Sequence, residues 1–399
     1  MHSITGVEDH FGFGYLLASR AFRSVGIIYM TLATPLLLLA LGVHVVYIGL
    51  VLFGTIAFGA AQTVLLGMLG ERTSYRLALV IGDLIPCTAA LVIGLGAGMT
   101  LMIAALIVGG LGGTAGAMRG AFSPATTALV AHNWGDERER ARRLGYLVTV
   151  AAVFSIGGSL LLASHAYAAI VYGSVGAFRL LFLVAAGALL ASAASVAFVR
   201  ESEHEEKTTQ FMKPVSRDYT LRVVASNALS GLGMGVAIPI LPLWFGLAFH
   251  ASTGMIGAVF AASYFATAAG SFAASRLSHR LDILLTASAT RSLGGLLLVA
   301  MAFSGWLPMA AALYAARMFV SGFGSPTRST ANMRGISRED YGTATSIQGL
   351  STRLSQTSSG ISGYLLEYAL EAPLLVGGAL QVVGGVAYFV MLRHKNAAG

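Results

Sequence analysis

The chain is a succession of long apolar runs separated by short polar stretches. The runs fall at about residues 14–42, 46–68, 77–97, 100–130, 144–165, 176–199, 220–249, 253–274, 283–304, 308–325, 341–367 and 371–392. Most are about 20 residues or longer and lack the two-residue alternation of a strand, so they predict helices able to cross a hydrocarbon layer of about 30 Å. The least apolar stretch, Arg200 to Asp218, contains Glu-Ser-Glu-His-Glu-Glu-Lys and separates six runs from six. The pattern therefore predicts an all-α integral membrane protein of 12 helices. Residues 1–199 would form one six-helix bundle, 200–219 a linker, and 220–399 a second bundle with a short tail.

Composition supports that reading. Of the 399 residues, 56% are hydrophobic and 11% charged, and the mean hydropathy is +0.76. A water-soluble surface of this size needs more charge, so lipid must solvate most of it. In lipid each backbone polar group must be paired internally, which leaves bundled helices or a closed barrel, and the run lengths select helices. The 49 glycines suit close helix–helix contact. The net charge of +8 has no separate basic block behind it, which argues against nucleic acid as a partner. With the N-terminus inside, 20 of the 25 Lys and Arg residues fall on the inner side, only Arg179 falls outside, and Arg119, Arg291, Arg317 and Arg353 lie within runs. This bias predicts cytoplasmic termini and a multi-pass location in the cell membrane.

The two sets of runs also repeat. Ala18-Ser19, Ala21, Gly26 and Pro35-Leu36 recur as Ala225-Ser226, Ala228, Gly233 and Pro242-Leu243, at a constant offset of 207. Ser123-Pro124 recurs as Ser325-Pro326. Six spans return the chain to its starting side, so the copies would run parallel, related by an axis along the membrane normal.

Between the second and third runs stands Gly67-Met-Leu-Gly-Glu-Arg-Thr-Ser-Tyr-Arg76, with a degraded echo at Ser275-Arg-Leu-Ser-His-Arg280. The spacing Gly-x-x-x-acid-Arg-x-small-x-Arg resembles the loop between helices 2 and 3 of the major facilitator superfamily. Arg317-Met-Phe-Val-Ser-Gly322 resembles that family's helix-4 arginine-to-glycine motif, here in the tenth run. Leu232-Gly233 with Pro239-Ile-Leu-Pro242 resembles a helix-1 pattern of its drug-efflux branch, while the helix-5 efflux signature survives only as Gly157-Gly158. The resemblance covers about residues 14 to 393 and implies a secondary active transporter with alternating access between two halves, nearest the efflux members. It would work as a monomer on a small-molecule substrate, with protons or a counter-ion as coupling partners. A carrier of organic anions is the alternative, and a receptor that binds without transporting is a more remote one.

Within that resemblance the loop would act as a latch. Gly67 would let helix 2 approach a neighbour, and Glu71, with Arg72, Arg76 and Arg280, would pair across the halves; the plainer reading is a static surface ion pair worth under about 1 kcal/mol. Charges inside spans cost about 2.5–3.5 kcal/mol each unless they are paired or face water. Asp83 has Arg119 as its expected partner, and Arg20 and Arg23 are expected to snorkel to the interface. Arg317 and Arg353 are expected either to face the central cavity or to serve structure. The other cavity candidates are Tyr29, Thr34, Gln62, Asn227, Met234, Tyr264, Tyr314, Gln348 and Gln356. The cavity helices hold no central carboxylate, and His44, His165, His250, Glu367 and Glu371 read as solvated loop residues. No Gly-x4-Gly-Lys-Ser/Thr, His-Glu-x-x-His or Cys/His cluster is present, so no cofactor, metal or enzymatic activity is expected, and the lone Cys87 rules out an intramolecular disulfide. The polar stretch at 1–14 lacks the basic start of a signal peptide, so the first run is expected to be retained.

Overall fold

The structure is a computed structural model that describes residues 11–110, 122–134, 136–202, 212–277, 282–337 and 340–393. All regular elements among the described residues are helical. They are α1 (Phe13–Ala40), α2 (Val45–Arg72), α3 (Tyr75–Gly94), α4 (Met99–Gly109), α5 (Phe122–Asn133), α6 (Glu137–Ala163), α7 (His165–Ala197), α8 (Pro214–Ala237), α9 (Leu241–Phe249), α10 (Thr253–Leu277), α11 (Ile283–Ala302), α12 (Leu307–Met333), α13 (Tyr341–Gln356), α14 (Ser362–Tyr368) and α15 (Ala372–Arg393).

Eight described helices are long and apolar enough to cross a membrane, or nine when the bent pair α8–α9 counts as one span. The other three apolar runs are occupied by α4 with α5, by α12, and by α13 and α14 joined through a 3-10 turn at Thr357–Ile361. Helix starts follow capping chemistry. The Asp136 side chain accepts from Glu139 N at 2.9 Å and opens α6 seven residues before the apolar run begins. Asp282 caps α11 in the same way.

The helices pack as two groups with matching partners. In the first, α3 packs on α7, α7 on α1, α1 on α6, and α4 on both α2 and α3. In the second, α11 packs on α15, α15 on α8, α8 on α13, and α12 on both α10 and α11. Of the residues that repeat at offset 207, Gly26 and Gly233 make equivalent contacts. A β-carbon at Gly26 would lie 2.9 Å from Leu189 of α7, and one at Gly233 would lie 3.0 Å from Leu380 of α15. The second group closes mainly through small residues: Gly377 meets Ala237, and Gly295 and Gly378 abut each other's backbone.

Candidate functional site

The two groups meet along a seam formed by α1 with α9, α6 with α10, and α2 with α13, α14 and the 357–361 turn. Helix direction places the described close contacts across it from mid-span to the end away from both chain termini. Small residues permit them. A β-carbon at Gly49 of α2 would stand 2.7 Å from Gly363 N, and one at Gly257 of α10 would stand 2.5 Å from Ala163 N. Real β-carbons essentially never come that close, so larger residues there would force the groups apart.

Polar contacts cross the seam at the same end. His165 is buried, with Nδ1 2.7 Å from Thr253 Oγ1, Nε2 3.0 Å from Ser174 O, and its ring 3.9 Å from that of Phe178. It is thus a packed seam residue and not the solvated loop histidine expected. On the opposite flank His44 Nε2 lies 3.5 Å from Glu367 Oε1, both exposed, a geometry worth under about 1 kcal/mol. At mid-span Arg353 Nη1 donates to Gly59 O of α2 at 3.1 Å, so it reaches across to the other group.

The remaining candidates fall into three environments. Tyr29, Thr34 and Gln62 are tied within the first group. The Tyr29 hydroxyl donates to Phe178 O at 3.3 Å, Thr34 bonds its own helix at Met30 O, and Gln62 Nε2 donates to Val108 O at 2.6 Å beside the end of α4. Tyr264 and Tyr314 are buried in the core that joins both groups, and Met234 packs against it. Arg317 is buried, with Nη2 donating to Gln381 Oε1 of α15 at 3.2 Å, which sets it inside the second group. Gln348 Nε2 donates to Asn332 O at 3.3 Å. Asn227 Oδ1 and Gln356 Nε2 are buried with no hydrogen-bond partner among the described residues.

The loop at Gly67–Arg76 engages its own group. Glu201, from the stretch after α7, accepts from Tyr75 N at 2.9 Å, Ser74 Oγ at 2.5 Å and Arg76 N at 3.1 Å, and so caps the start of α3. Glu71 and Arg72 lie at the exposed end of α2, and Arg76 Nη1 reaches Val199 O at 3.4 Å. The close approach expected at Gly67 does not occur: among the described residues nothing lies within 4 Å of where its β-carbon would stand. Gly59 makes such an approach one face round, 2.7 Å from Gly110 O. Arg280 lies outside the described residues.

Asp83 is fully buried and bonds Arg23; its expected partner Arg119 lies outside the described residues. Ser192 Oγ donates to Asp83 Oδ2 at 2.6 Å and shares a 2.9 Å contact with Ser19 Oγ. Arg20 and Arg23 are both buried, which corrects their expected escape to the interface. They stand seven and ten residues into α1, about 10 and 15 Å from its start, too deep to snorkel easily. Their three-residue spacing was the signal, since it puts both on one helix face.

The described residues form a helical membrane bundle of two similarly packed groups. Residues 223–398 match the family model described as Major Facilitator Superfamily. The fold of a bacterial homolog of the human lysosomal transporter Spinster, in an inward-facing and occupied conformation, superposes with a TM-score of 0.72 at 13% identity, over 96% of this chain and 97% of that one. The POT family transporter PepTSo superposes with a TM-score of 0.75 at 11% identity, over 97% and 99%. No curated protein matches the chain in sequence. The chain is a multi-pass membrane protein with the major facilitator fold, and its second half matches that superfamily in sequence.

Proposed function

We propose that the protein carries a small organic solute across the cytoplasmic membrane by rocking two six-helix halves, 1–199 and 220–399, about the seam. The observation that carries this reading is the one-ended closure: backbone-close contacts at Gly49 and Gly257 seal the end away from the termini. With both termini cytoplasmic, as the arginine and lysine bias argues, the sealed end faces outward and the solute path opens to the cytoplasm. Export is the direction favoured by the efflux-like Leu232-Gly233 and Pro239-Ile-Leu-Pro242 pattern. In this reading Arg353 serves as the mid-span tie between halves, and Arg317 positions the second half from inside. The test is spin-label distance measurement in liposomes. Pairs spanning the sealed end should lengthen as pairs at the terminus end shorten. Distances that never change in opposite senses would rule out alternating access.

A further inference from the structure

On the second-half side of the seam stands an aromatic cluster. Trp244, Phe245 and Phe249 come from α9, Phe260 from α10 and Tyr314 from α12. The Phe245 ring is 5.1 Å from that of Trp244 and 6.1 Å from that of Tyr314, so one ring links the two polar-tipped members. Trp244 is 2% exposed and Tyr314 0%. Yet Trp244 Nε1 and the Tyr314 hydroxyl have no hydrogen-bond partner among the described residues. Two orphaned donors in one apolar cluster are expensive, because a buried unmet donor forfeits its hydration and recovers nothing. The chain carries phenylalanine next to each of them, so the polar tips are not needed to fill space.

The cluster sits in the core that runs on into α1, and Leu36 of α1 approaches Gly246 of α9. Parting α1 from α9 would therefore uncover it. Arg317 lies one turn along α12 from Tyr314, with its guanidinium on Gln381. The donors offered are an indole N–H, a phenol O–H and a permanent cation nearby, set among flat apolar rings. A solute that satisfies them has an apolar, ring-bearing body and an anionic acceptor.

We propose that Trp244 and Tyr314 bind the transported solute, and that this solute is a small aromatic carboxylate. The proposal rests on the carrier reading for its route but not for its binding chemistry. Carboxylate oxygens would accept from Trp244 Nε1 and Tyr314 Oη while the solute ring takes the place of a displaced phenylalanine contact. The donors lack partners in the sealed state because they are kept for the solute.

The experiment is thermal-shift titration of the purified full chain with benzoate and phenylacetate, using benzylamine and benzyl alcohol as controls. A carboxylate should stabilise the protein where the amine and the alcohol do not. Tyr314→Phe keeps the ring and removes only the donor, whereas Trp244→Phe removes the indole N–H together with the five-membered part of the ring system. Each should weaken carboxylate binding about tenfold or more, since the lost bond is to a charged acceptor. The ligand-free melting temperature of Tyr314→Phe should be unchanged or higher, because an orphan is removed and no volume is lost, while that of Trp244→Phe should fall with the lost core volume. Trp306→Phe, at an exposed position, should titrate like the parent. The proposal falls if no carboxylate stabilises the parent, if benzylamine does so equally, if both donor variants titrate like the parent, if Trp306→Phe weakens binding as much, or if Tyr314→Phe lowers the ligand-free melting temperature. Flux of the same probes in proteoliposomes separates the two readings. Binding without flux removes the carrier and keeps the site; flux with unaltered donor variants keeps the carrier and removes the site.

Discussion

Asp83 has no route to water, and burial leaves it dependent on Arg23 and the Ser192 hydroxyl. A buried ion pair is weak evidence of net stabilisation, but removing one partner strands the other charge in a low-dielectric interior. Asp83→Asn should therefore cost about 3–5 kcal/mol, read as a lower melting temperature in detergent. The double variant Arg23→Met with Asp83→Leu should recover much of that loss, because it strands neither member of the pair. If Asp83→Asn melts like the parent, the pair contributes nothing to holding α1 against α3. At the equivalent α1 positions the second group carries Asn227 and Ser230, and at that of Asp83 it carries Arg291, whose guanidinium lies 4.2 Å over the Tyr388 ring. The halves share packing partners while their polar interiors differ.

Two helices of the second group are broken, and the break in one supplies a donor to the break in the other. The α8–α9 bend is 43° and follows Ile238 and Pro239; proline has no N–H to continue the ladder, so the last carbonyls of α8 lose their intrahelical donors. Ser362, which follows the 357–361 turn, supplies a donor: its Oγ lies 2.8 Å from Val236 O, and the residue is fully buried. Ser358, half-buried, donates its Oγ–H to Leu232 O at 2.7 Å. Non-helical backbone is tolerated at membrane depth only where neighbours restore its hydrogen bonds. Ser362→Ala should destabilise the protein by about 1–3 kcal/mol, and Ser358→Ala by clearly less, because Leu232 lies inside α8 where the ladder is intact. Comparable losses from both, measured by thermal unfolding, would show that the break is not what Ser362 supports.

Across the whole molecule the sealed end depends on residues too small to keep the groups apart. Gly49 and Gly257 lie on opposite flanks of the seam, each at backbone distance from the other group. Gly257→Leu should keep the fold of each group and wedge the sealed end open. A cysteine placed at Thr253, whose hydroxyl meets His165 there, should then react faster with a membrane-impermeant thiol reagent than in the parent. Unchanged labelling would mean that the contact at Gly257 does not hold the end closed. Cys87, the one native cysteine, is buried and gives little background.

Local pattern alone determined the helices, because an apolar run in lipid has no other way to pair its backbone. Seven of the expected runs match one described helix or a closely joined pair to within a few residues; α6 starts seven residues early, α7 eleven and α8 six, α12 ends eight residues late, and 111–121 of the fourth run lies outside the described residues. The repeat at offset 207 was legible too, and Gly26 and Gly233 occupy equivalent contacts. Partner choice was not legible. Composition shows that Asp83 needs a cation, but which arginine answers depends on helix rotation and depth: α1 presents Arg23 to α3 at about the same depth, eight residues into that helix. Gly67 and Gly59 look alike in sequence, yet only Gly59 faces a neighbour. Such choices are decided when helices pack, because the energy of a buried charge or a close approach resides in the facing residue and not in the run that carries it.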